Sequence, residues 1–151
     1  MLLLKFCYIE HSDVVLLMLE TTVAGKVIRN DDKMLDLLNY AIGSIKCFTM
    51  TSRVVQEETV SNQVIPVLSM TIDKLIKSKY PANKKAMILV QITGVLRNLA
   101  NVERSHYQIS QHCVKQMCDI FFDTSFNAGK ELVLNIARLL AKVSLDMACA
   151  D

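Results

Sequence analysis

The chain contains no Trp, 2 Pro and 4 Gly in 151 residues. Such scarcity of turn formers excludes an all-β domain, whose many hairpins need Gly and Pro at their corners. An excess of one charge is also missing: 17 Lys+Arg stand against 15 Asp+Glu, a formal +2. That balance is weak for a protein that grips phosphate backbones, where dense positive charge supplies the affinity. Long apolar runs are absent as well. The longest aliphatic stretch is six residues, Val14 to Leu19, against the ~20 needed to cross a bilayer. No transmembrane helix is expected. Met1 to Leu4 are followed at once by Lys5, then by Glu10, His11, Ser12 and Asp13, with no small-residue cleavage site, which argues against a signal peptide. An intracellular, cytoplasmic chain is the expectation.

What is present is apolar content, 52% of residues, with a mean hydropathy of +0.30 that is high for a domain of this size. Disorder is excluded by that composition. The 5 Cys are odd in number and irregular in spacing, which suits thiols kept reduced and used as small buried groups. A mostly helical domain remains.

The sequence repeats internally. Leu89 to Leu99, moved by 44 residues, falls on Val133 to Val143, pairing Ile92 with Ile136, Val95 with Leu139, Leu96 with Leu140 and Leu99 with Val143. Moved back by 51, Gly94 to Leu99 meets Gly43 to Phe48. A second motif recurs in the same order: Val60 to Ile65 aligns with Ile109 to Val114 at a spacing of 49, and with Ile9 to Val14 at 51. A single irregular bundle would also contain amphipathic helices, but matched order of two distinct motifs goes beyond shared periodicity.

Within each copy the period is helical. Ile88, Ile92, Val95, Leu96 and Leu99 follow the spacing of one helix face, and Leu132, Ile136, Leu139, Leu140 and Val143 do the same. The signals predict helices over about 32–50, 53–62, 66–78 and 82–101, and another running to about Met147. Asn30 or Asp31 can cap the first, Pro66 and Pro81 suit first turns, and Asn127 or Gly129 precedes the last. Each copy, about 1–50, 51–102 and 103–147, then reads as a short, a medium and a long helix. Units of ~40–47 residues with two or three helices are the signature of stacked helical arrays.

At the level of motifs the chain resembles the armadillo family. Ile92-Thr93-Gly94-Val95-Leu96-Arg97-Asn98-Leu99-Ala100 is similar to that family's third helix, which typically ends in Asn-Leu-Ala, and Val64-Ile65-Pro66-Val67-Leu68 resembles the opening of its second. The resemblance covers nearly the whole chain and weakens before Asp32. It implies an all-α fold, a right-handed α-solenoid of about three armadillo-like repeats in one domain, expected to belong to a longer array. It also implies a noncatalytic protein-binding scaffold or adaptor, with some members associated with axoneme assembly in cilia and flagella.

The family presents its third helices along a concave groove that binds extended peptides or partner helices. Carried over, the partner-binding stripe comprises Gln91, Asn98 and Asn101 on the middle long helix, flanked by Arg97. Tyr40 and Lys46 are the counterparts in the first copy, and Asn135, Arg138 and Lys142 in the third. The resemblance implies that Asn98 hydrogen-bonds a ligand backbone while Arg97, Arg138 and Lys142 attract acidic side chains. Such a stripe is also the solvated face that any amphipathic helix must have. Nuclear-import members carry Trp four residues before the Asn. Here that position is Gly94, with Gly43 and Arg138 as counterparts, so a neutral or acidic partner is expected rather than a basic one.

Catalytic chemistry is not expected. There is no Gly-rich phosphate loop, no nucleophile elbow and no His-Glu-x-x-His pair. Asp31-Asp32 reads as a cap region and Glu57-Glu58 as solvated charge. His106, His112, Cys113 and Cys118 suggest zinc, but on one helix His112 and Cys113 diverge by ~100° and Cys113 and Cys118 by ~140°. No cofactor or metal is assigned. An RNA-binding α-repeat is the alternative, and it needs an aromatic or Arg at a fixed place in each copy. Tyr40, Gln91 and Asn135 occupy that place, and one of them is aromatic.

Overall fold

The computed structural model describes residues 32–126 and 129–146. Among the described residues every regular element is helical: α1 (Asp32–Thr49), α2 (Arg53–Ser61), α3 (Val64–Lys77), α4 (Ala82–Leu99), α5 (Arg104–His112), α6 (Val114–Phe122), a 3-10 turn (Thr124–Phe126) and α7 (Lys130–Ser144). None of these helices is long and apolar enough to cross a membrane. The expected caps at Asn30, Asp31 and Asn127 and the first copy before Asp32 lie outside the described residues, while α7 ends at Ser144 with Leu145 as its cap, short of the expected Met147.

Local chemistry sets the boundaries. Ser52 is extended and its hydroxyl accepts from the Val55 N–H, capping α2. Two residues later than the end of α2, Gln63 adopts a left-handed φ of 59°, which lets the chain turn directly into α3. Helix α3 starts two residues ahead of Pro66 instead of at it. The first turn leaves its N–H groups without intrahelical partners, so a ring nitrogen there removes nothing. Helix α4 stops at Leu99, short of the expected 101, because the Asn101 and Val102 N–H groups bond Asn98 and Leu99 carbonyls and tighten the last turn. The middle copy shows the short, medium, long order. In the third copy α6 is nine residues, no longer than α5.

The three long helices lie side by side, with α4 between α1 and α7, while α2, α3, α5 and α6 pack against them and one another. Burial follows the sequence registers. At the 44-residue spacing, Ile88, Ile92, Val95 and Leu99 correspond to Leu132, Ile136, Leu139 and Val143, all buried. At 51 residues, Ala86, Leu89, Thr93, Leu96 and Ala100 correspond to Leu35, Leu38, Ile42, Ile45 and Thr49, again all buried. Helix α4 therefore buries both sets, as the middle member must. At 49 residues, Gln56, Val60, Val64, Leu68 and Thr71 match Ser105, Ile109, Cys113, Met117 and Ile120, and none is exposed. Each fully buried aliphatic side chain stabilises the fold by about 1.5–3 kcal/mol relative to an exposed one.

Cys113 takes the place of Val64. It lies at the break between helices α5 and α6, capping both, so the single-helix angles expected for His112, Cys113 and Cys118 do not apply. Burial, with a smaller contribution from nearby Asp73, pushes its thiol up to about 12. A thiol so held behaves as an apolar group.

Candidate partner-binding face

Helix α4 presents a narrow strip to solvent. Met87 is exposed and Gln91 half-buried, and the line continues through Gly94 and Asn98 to exposed Asn101. Two members of this line are covered. Gly94 is buried because the aliphatic stem of Lys46 lies across it; a Cβ there would stand 3.0 Å from both Lys46 Cδ and Cε. The glycine is needed for that close approach. Having crossed α4, the Lys46 ammonium ends 3.9 Å from the Glu131 carboxylate on α7.

Asn98 is turned inward and only 6% exposed. Its Nδ2 donates to the Lys46 carbonyl at 3.1 Å and to Thr49 Oγ1 at 3.2 Å. Both amide hydrogens are used between α4 and α1, so the donor expected to meet a ligand backbone is engaged within the protein. Asn135 is 2% exposed. It accepts from Arg97 Nη1 at 2.9 Å and donates to Thr93 Oγ1 at 3.5 Å, joining α7 to α4. Lys142 donates to the Arg97 carbonyl at 3.5 Å and to Asn101 Oδ1. Its pKa is lowered, first by desolvation and then by the Arg97 charge. Lys46, Arg97, Asn98, Asn101, Asn135 and Lys142 thus form contacts that run across all three long helices.

Tyr40, Gln91 and Arg138 stand apart. Among the described residues their side chains make no hydrogen bond, and Tyr40 is 72% exposed. Arg138 is exposed on α7, with Leu134 on that helix and Leu145 just past its end also exposed. The face is therefore cationic and partly apolar, with Glu131 the carboxylate within ion-pair distance of Lys46 among the described residues.

Several contributors were not assigned from the sequence. Thr49 and Thr93 return hydroxyl protons to Ile45 and Leu89 carbonyls, freeing oxygen lone pairs for Asn98 and Asn135. Arg53 donates to the Asn101 carbonyl at 2.9 Å, and Arg104 donates to Ser61 Oγ at 2.7 Å and to the Glu57 carbonyl. Both arginines open a short helix. His106 faces Asp146 Oδ2 at 2.9 Å and the Ala100 carbonyl at 2.8 Å, so it ties α5 to the ends of α4 and α7. Among the described residues no group of three His, Cys, Asp or Glu is placed to hold a metal ion.

No family model, curated protein or solved structure matches the chain.

Proposed function

We propose that the chain is a noncatalytic scaffold of the armadillo type, a short α-solenoid whose long helices carry a face that binds a neutral or acidic protein segment. The observation that carries this reading is a repeated contact. Asn98 on α4 reaches the Lys46 carbonyl on α1, and Lys142 on α7 reaches the Arg97 carbonyl on α4. Lys142 is Asn98 moved by 44 residues, and Arg97 is Lys46 moved by 51. The same donor position meets the same acceptor position at both junctions, the behaviour expected of units stacked by one repeated operation.

Within that reading Arg138, Tyr40 and Gln91 meet the partner directly. Arg97, Lys142 and Lys46 contribute positive potential while holding the helices together. Asn98 and Asn135 act by fixing the spacing of the face. The association of resembling family members with the axoneme extends to this chain as part of the same proposal.

The test is fluorescence anisotropy with labelled acidic, neutral and basic peptides and a single-stranded RNA. Acidic peptides should bind best, with an affinity that falls as salt rises. Arg138→Glu should remove the preference without lowering the melting temperature. Equal binding of basic peptides, or tighter binding of the RNA with a steep salt dependence, counts against the proposal.

A further inference from the structure

The register that relates the long helices also shows what α7 lacks. On α1 the stripe Leu38, Ile42, Ile45 and Thr49 is buried, and it meets α4 where Thr49 accepts from Asn98. On α4 the equivalent stripe Leu89, Thr93, Leu96 and Ala100 is buried, and it meets α7 where Thr93 accepts from Asn135. Moved on by 44 residues, the same stripe is Val133, Ala137, Leu140 and Ser144. Here Val133 is 36% exposed, Ala137 and Ser144 are exposed and Leu140 is half-buried. It is the forward face of the row, with Leu140 packed in part against the core and Val133 and Ala137 left exposed.

The complementary face is on α1, the other outer long helix among the described residues. The residues of α4 that meet α1, Lys84, Gly94 and Asn98, correspond on α1 itself to Lys33, Gly43 and Cys47, and Leu37 and Tyr40 lie between these on the same side of the helix. Leu37 is 40% and Tyr40 72% exposed. Charges follow the same register. Lys46 reaches across one helix to Glu131 on the next. Moved on one step, Arg97 takes the place of Lys46, and the position of Glu131 falls on Asp36 of a following α1. Asp36 is exposed and makes no ion pair among the described residues.

We infer that the chain associates head to tail with a second copy of itself, α1 of one copy covering the Val133–Ala137–Leu140 stripe of α7 on the other, with Arg97 facing Asp36 across the junction. The contact is heterologous, so each addition leaves one free face at each end unless the row closes into a ring.

Sedimentation velocity of the whole chain over a range of concentrations tests this. Species at multiples of 17.0 kDa should grow with concentration. Val133→Glu with Ala137→Glu places charges on the α7 stripe, and Leu37→Asp with Tyr40→Asp does so on α1. Each pair should weaken association by more than about a hundredfold, because it buries charge without a partner, while circular dichroism stays unchanged. The two variants mixed should form one dimer and stop there, since each retains the face the other has lost. Asp36→Arg alone should weaken association severalfold, and less so at high salt. A wild-type chain that remains monomeric, a mixture that does not pair, or self-association that survives in either double variant overturns the proposal.

Discussion

The two junctions made by α4 share a register and differ in chemistry. Against α1, the donor is the neutral amide of Asn98, buried, with both hydrogens on α1 acceptors. Against α7, the equivalent donor is the ammonium of Lys142, half-buried, beside the Arg97 guanidinium. Either group can satisfy a carbonyl at the end of the neighbouring helix, so the register demands a donor and not a particular residue. The cost differs. An amide can be enclosed once its hydrogen bonds are made, whereas an ammonium next to a second cation keeps some exposure to water. The first junction is accordingly the closed one and the second the open one.

The largest effect should separate the middle helix from its neighbour. Leu96 and Leu140 are equivalent, yet Leu96 is fully buried and Leu140 half-buried. Leu96→Ala should cost about 2–5 kcal/mol in urea unfolding, and Leu140→Ala less than half as much. Comparable losses would mean that α7 is as enclosed as α4.

A smaller contrast is expected at the donor position. Asn98→Ala takes one donor each from the Lys46 carbonyl and from Thr49 Oγ1, which still bond each other, and should cost about 1–3 kcal/mol for the two lost hydrogen bonds. Lys142→Ala should cost less than about 1 kcal/mol, as a partly exposed donor is replaced by water. Equal costs would erase the distinction between the junctions.

Gly94→Ala is expected to be nearly neutral or to stabilise by up to about 1 kcal/mol. The added methyl meets only the flexible end of Lys46, and Ala exceeds Gly in helix propensity by about that amount. The displaced Lys46 should lose Glu131, so a subsequent Glu131→Gln change would add nothing. A large destabilisation would show that the Lys46 crossing is rigid.

The smallest effect concerns pH. With the Lys142 pKa depressed in the fold, the unfolded chain binds more protons just below the ordinary lysine range. Stability contributed by this group therefore rises with pH through that window. Lys142→Met should flatten that part of the stability profile. An unchanged profile would assign the slope to other groups.

Much of the fold was legible because it rests on aliphatic periodicity. The matched pairs Ile92 and Ile136, Val95 and Leu139, and Leu99 and Val143 are buried alike. Alignment of Cys113 with Val64 anticipated a buried thiol. The candidate face was less legible. Periodicity assigns Asn98 and Asn135 to the outer side, but in the structure both point between helices. A polar residue beside an apolar stripe can face water or a neighbour's carbonyl, and sequence spacing alone does not distinguish the two. The same ambiguity concealed Gly94, which reads as a gap in a polar face and serves as the floor beneath Lys46.

By itself the sequence determined the helical class, the order of the elements and the apolar positions that must be buried, since these follow from composition and a 3.6-residue period. Only the tertiary structure decided which polar side chains are spent between helices and which remain outside. That choice depends on which carbonyls and hydroxyls lie within about 3 Å once the helices pack. These partners, 38 to 52 residues away in the chain, are related by no local pattern.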